Sequence, residues 1–128
     1  MTGFLRHKRG ILVASVIAAT LAVAGPALAH SDVHRSEPAD GAVLRATPAA
    51  VVLLFPAPMR VMTLRLLDDA GRETRLTREG ERTSATREAR AAVQGRLLPG
   101  DYRIEWRGSS EDGHVGGGTV RFRVDPAS

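Results

Sequence analysis

At 128 residues, 43% hydrophobic and 25% charged, the chain holds enough for one compact domain and no more. Its formal net charge of +4 shrinks to +1 once an N-terminal basic cluster (Arg6, Lys8, Arg9) is set aside as part of an export signal, which leaves no electrostatic footprint for nucleic acid or an anionic membrane. The absence of cysteine excludes disulfide staples, thiolate metal sites and cysteine nucleophiles, so any metal chemistry must use nitrogen, oxygen or thioether donors.

Residues 1–29 read as a secretory signal peptide. Arg6 to Arg9 supply a basic start, Ile11 to Ala24 an apolar stretch of suitable length, and Ala27-Leu28-Ala29 the small-x-small pattern of a cleavage site. The uncharged run from Gly10 to Ala29 is also long enough to suggest a membrane anchor, but Gly25-Pro26 breaks it just before the cleavage box. Cleavage between Ala29 and His30 leaves a domain of 99 residues, 30–128, expected in the periplasm. No second apolar span follows, so no membrane span is expected in the cleaved chain.

In chain order, Ser31 to Ser36 is expected to be extended, and Glu37-Pro38-Ala39-Asp40-Gly41 to turn. Ala42 to Arg45 is a short edge element. Ala50 to Phe55 is an apolar, β-branched run of strand length, which Pro56-Ala57-Pro58 is expected to end because proline cannot donate to a ladder. Val61 to Leu67 alternates and stops at a hairpin-like turn, Asp68-Asp69-Ala70-Gly71. The Arg-rich middle, Arg72 to Arg90, alternates basic with acidic residues and reads as a solvated face; within it Thr77 to Arg90 lacks a sustained apolar period and suggests short strands or loop, with a helical turn around Ser84 to Ala92 as the alternative.

The clearest strand is Asp101 to Arg107, where Tyr102, Ile104 and Trp106 share one face. Val120, Phe122 and Val124 alternate in the last one. About seven short strands in a hundred residues, with a turn signal every 8–12, argue for an all-β antiparallel sandwich. The approach Leu98-Pro99-Gly100-Asp101-Tyr102 suggests a tyrosine corner, with the phenol bonded to nearby backbone.

Between the last two strands lies Glu111-Asp112-Gly113-His114, and far from it in sequence His30 would become the first residue after cleavage. A terminal histidine is a chelate, offering an α-amine and a ring nitrogen to one ion. Residues i and i+2 of an extended segment point the same way, so Asp112 and His114 can present two further ligands, with Gly113 free to bend. Three nitrogens and one carboxylate oxygen suit Cu(II) in a tetragonal site. His34 faces away from the core by alternation and Glu111 lies beside the turn; neither is assigned as a ligand.

These blocks, Ala29-His30, Ser36-Glu37-Pro38-Ala39-Asp40-Gly41-Ala42, Leu98-Pro99-Gly100-Asp101-Tyr102 with Trp106-Arg107, and Ser110-Glu111-Asp112-Gly113-His114, occur in an order that resembles the CopC family of exported copper-binding domains. The resemblance implies a seven-stranded Greek-key β-sandwich of immunoglobulin-like or cupredoxin-like type. It also implies one Cu(II) per chain on His30, Asp112 and His114, and a copper-buffering or copper-delivering role in the periplasm rather than catalysis. The implied partners are the copper ion and a CopD-like inner-membrane permease or another periplasmic copper protein, with the domain a monomer. Some relatives carry a Glu two residues after the Phe that ends the early core strand, where this chain has Ala57. Others hold Cu(I) in a methionine-rich loop, whereas this chain offers only Met59 and Met62 beyond the signal, so no dedicated Cu(I) site is expected.

Two other classes of function are compatible with the same residues. A terminal histidine with a second imidazole also resembles the histidine brace of copper monooxygenases, although Asp112 would close the position that oxygen needs. A metal-free interaction module is the other, since sandwiches host many functions.

Overall fold

The computed structural model describes Gly3 and residues 33–128. The expected signal segment, Gly3 apart, and His30 lie outside the described residues. Eight strands follow in order: β1 (Arg35–Glu37), β2 (Ala42–Leu44), β3 (Ala50–Asp68), β4 (Glu73–Thr74), β5 (Leu76–Arg78), β6 (Thr86–Val93), β7 (Gly100–Ser110) and β8 (Val115–Val124). The all-β sandwich expected from the sequence is present, with eight strands in place of seven and one parallel pair, β2 with β8. Among the described residues there is no helix long and apolar enough to cross a membrane.

β3 organises the sheet because it takes part in both halves of it. Residues 52–54 pair with β1 on one side, and residues 50–54 with β6 on the other. Residues 59–68 pair with β7, which pairs with β8. The strand therefore does not end at Pro56-Ala57-Pro58 as its prolines predict. Between Leu54↔Glu88 and Met59↔Thr86 the register with β6 slips, so that residues 55–58 face Arg87 alone. Pro56 and Pro58 sit in that interruption, where a missing N–H removes no ladder bond. Arg87 Nη1 donates to the Pro56 carbonyl at 2.9 Å across the gap.

The inward-facing residues come from both halves. Val51, Leu53 and Phe55 of β3 meet Tyr102, Ile104 and Trp106 of β7 and Val120, Phe122 and Val124 of β8, all buried. Phe55 and Trp106 meet edge to face with ring centroids 5.1 Å apart, an arrangement that contributes beyond its area burial. Tyr102 stacks on Phe122 at 5.5 Å and donates its hydroxyl to the Leu98 carbonyl at 2.6 Å, which is the tyrosine corner expected from the sequence. The close approach of β3 to β7 depends on Gly108, where a Cβ would stand 2.8 Å from the Arg60 carbonyl oxygen.

Thr86–Val93 forms a strand, not the alternative helical turn. Alternate residues Ala89 and Ala91 are buried, and β6 is paired on both sides, with β3 and β5. Tertiary pairing overrides a composition of Ala, Arg and Glu that would favour helix in isolation.

Candidate metal centre

The β7–β8 hairpin closes at Ser110–His114. Ser110 N–H donates to the His114 carbonyl at 2.9 Å, and Gly113 N–H donates to the Ser110 carbonyl at 3.0 Å. Gly113 has φ +87°, the left-handed conformation that such a turn needs and that glycine adopts without steric cost. Asp112 and His114 thus lie in a turn rather than the extended segment their spacing suggests. They converge because Gly113 folds the backbone between them.

Their side chains meet directly. His114 Nδ1 is 2.8 Å from Asp112 Oδ2. The other carboxylate oxygen, Oδ1, accepts the Ser110 hydroxyl in a short hydrogen bond and the His114 N–H at 3.3 Å. With three donors around it, first the Ser110 hydroxyl and then the His114 ring and backbone, the Asp112 carboxyl is held down to about 2. It is therefore a carboxylate at any pH a cell envelope meets. Both side chains are largely exposed, at 86% for His114 and 66% for Asp112, so neither is bound up in the core.

The pair lines a cavity of about 270 Å³ whose opposite wall is the β3 kink, Pro56 to Met59. Met59 stands across from Ser110 in the β3–β7 register, which sets the kink beside the hairpin. Ala57 lines the same cavity. A larger cavity of about 500 Å³ opens at the other end of β7 beside Asp101 and Tyr102, and no histidine lines it.

The 2.8 Å between Nδ1 and Oδ2 is the length of a charge-assisted hydrogen bond, and an imidazole and a carboxylate side by side are donor types that a divalent ion uses. Among the described residues no group of three His, Asp or Glu side chains is placed to hold a metal, so the pair needs donors from elsewhere. His34 is exposed on the approach to β1, with its N–H bonded to the Leu54 carbonyl at 2.7 Å, and does not line the cavity. Glu111 is exposed at the hairpin tip. His30 lies outside the described residues.

Sequence reasoning missed Ser110 as the group that fixes the carboxylate. The available signal was its place two residues before Asp112, where a hydroxyl can bond across a tight turn.

Comparison with known proteins gives one family. The model of the CopC domain matches residues 33–125. Among solved structures, CopC from Methylosinus trichosporium OB3b matches with a TM-score of 0.65 at 27% identity, over 77% of this chain and 97% of that one. PcoC, a copper resistance protein from Escherichia coli, matches with a TM-score of 0.60 at 18% identity over 73% of this chain and 98% of its own. A second structure, of PcoC described as a methionine-rich copper resistance protein, gives 0.59 at 20%, over 76% of this chain and all of its own. At those identities the PcoC likenesses bear on the fold alone. No curated protein matches the sequence.

Proposed function

The chain belongs to the CopC family, and on that premise we propose that it is an exported copper-binding protein that buffers or delivers Cu(II) in the periplasm. The ligands in this reading are the α-amine and imidazole of His30, freed by cleavage after residue 29, with Asp112 and His114. Copper is cargo here, one ion per chain, rather than the centre of a reaction. The partners that follow are a CopD-like inner-membrane permease or another periplasmic copper protein.

The observation that carries this is the Asp112–His114 pair at 2.8 Å, with its carboxylate already ionised. The direction of β1 supports the missing half. β1 runs antiparallel to β3 with Arg35 opposite Leu54 and Glu37 opposite Val52, so each residue toward the N-terminus meets one further along β3. That path leads toward Pro56 to Met59, the wall facing Asp112 and His114. From Val33 to His30 is three residues, about 10 Å of extended chain.

The chemistry follows from the donors. An α-amine near pKa 8 and imidazoles near 6.5 lose their protons to Cu(II) at modest cost near neutral pH, and Asp112 brings one negative charge that lowers the cost of holding a dication. Cu(II) competes with protons for its nitrogen ligands, so loading releases protons and unloading is favoured by acid.

The test is a Cu(II) competition titration of the chain beginning at His30, beside a form with one extra Ala ahead of it. Tight one-to-one binding that weakens by orders of magnitude in the extended form supports the terminal chelate. Equal, weak binding in both forms overturns it.

A further inference from the structure

The Arg-rich middle of the chain reads in sequence as a solvated face with interspersed acids, but the structure sorts its charges unevenly. Glu73 accepts Arg65 Nε and Nη2, both at 3.2 Å, Glu79 pairs with Arg90 at 3.2 Å, and Glu81 accepts the Ser84 hydroxyl at 3.1 Å. Four arginines of this stretch pair with no carboxylate among the described residues; Arg87 donates to the Pro56 carbonyl, and the other three, Arg75, Arg78 and Arg82, line one cavity of about 420 Å³. Leu64 and Leu76, both packed against the core, form the apolar part of its lining.

Arg78 is the informative member. It follows Leu76 on the same face of β5 and is half-buried, reaching the Val61 carbonyl with Nη1 only at 3.4 Å. Its Nε is buried and has no hydrogen-bond partner among the described residues. An unmet buried donor on a charged group is costly. Burial, with the like charge of Arg82 nearby, pushes the Arg78 guanidinium below its ordinary range. Two like charges beside a buried donor call for an acceptor that carries negative charge and several oxygens.

We propose that Arg75, Arg78 and Arg82 form a binding site for a phosphate-class oxyanion. The planar guanidinium fork matches a phosphate through paired N–H···O bonds, and three such groups line this one cavity. Glu73 is the one carboxylate in the lining, and Arg65 already engages it. The site shares no residue with the Asp112–His114 cavity, so it stands or falls apart from the copper reading. A free phosphate and an anionic lipid headgroup present the same chemistry.

The test uses the complete domain, residues 30–128, followed by nuclear magnetic resonance at the Arg78 Nε–H during titration with inorganic phosphate, against chloride at equal ionic strength. Saturable movement of that signal is expected with phosphate only. Arg82→Gln, read at the Arg78 Nε–H, and Arg78→Lys, read at the backbone amides of β5, keep a long polar side chain and so leave the fold intact by circular dichroism; each weakens binding about tenfold, the loss of one charge-assisted contact. Arg121→Gln, outside the cavity, changes nothing. Sedimentation with phosphatidylglycerol vesicles against phosphatidylcholine ones then separates the sources: Arg82-dependent sedimentation names the headgroup, and phosphate binding without it names the free ion. Absence of saturation with phosphate and of Arg82-dependent vesicle binding, or equal binding in all variants, overturns the site.

Discussion

His114 Nδ1 and Asp112 Oδ2 stand 2.8 Å apart across a glycine, and the second oxygen of the same carboxylate is taken up by Ser110 and the His114 backbone. One oxygen is thereby committed to holding the turn while the other faces the imidazole.

That division predicts the titration of Asp112. An unperturbed Asp titrates near 3.9, and here the folded group is held at about 2. The sign follows: the ionised carboxylate favours the folded hairpin fully above about pH 4, and this contribution is lost as pH falls through 2. Carboxyl-carbon resonance of Asp112 should show the low midpoint. Ser110→Ala, removing the largest cause, should move it up, and an unchanged midpoint would show that the hydroxyl does not hold the carboxylate.

Copper binding should weaken as pH drops from 8 to 6, because protons compete with Cu(II) for nitrogen ligands while Asp112, held at about 2, does not titrate in that range. His114→Ala should cost at least about a hundredfold in Cu(II) affinity and Asp112→Asn less, since an amide keeps an oxygen but loses the charge. Competition titrations at several pH values read both. A flat pH profile would remove nitrogen ligation.

Ala57 lines the cavity opposite Asp112 and His114. Ala57→Glu places a second carboxylate there and should tighten Cu(II) binding by at least several-fold, with an altered electron paramagnetic resonance spectrum if the new oxygen ligates. No gain would mean that the kink holds the side chain away from the ion.

Trp106 is 1% exposed and meets Phe55 edge to face. Trp106→Ala should destabilise the domain by about 3 kcal/mol, the lower end of the usual range for such truncations, because its buried indole N–H has no partner among the described residues and its removal recovers part of the loss. Tyr102→Phe removes only the bond to the Leu98 carbonyl and should cost about 1 kcal/mol. Chemical denaturation measures both.

Gly108→Ala forces a Cβ to within 2.8 Å of the Arg60 backbone oxygen and 3.0 Å of Met59 Cγ. Since a backbone oxygen cannot swing aside, β3 and β7 must part near the Asp112–His114 cavity, at a cost of about 1–3 kcal/mol. A thermal melt indistinguishable from that of the parent chain would show that the strands yield freely.

The alternation of Tyr102, Ile104 and Trp106, and of Val120, Phe122 and Val124, was enough by itself to identify the two strands and their buried faces, because a strand shows every second side chain to the core. The Leu98 to Tyr102 corner and the ordered blocks that resemble CopC were legible for the same reason: they depend on residues close in sequence. The course of β3 was not, since two prolines end a strand by local rules and only the slipped β6 register gives them a place where no ladder bond is lost. Nor could spacing distinguish an extended Asp112–His114 pair from one folded over Gly113, or set Pro56 to Met59 against it. The fold over Gly113 follows from the hairpin that β7 and β8 close, and the other two relations join residues some thirty and fifty positions apart, decided by which strands pair and where the pairing breaks.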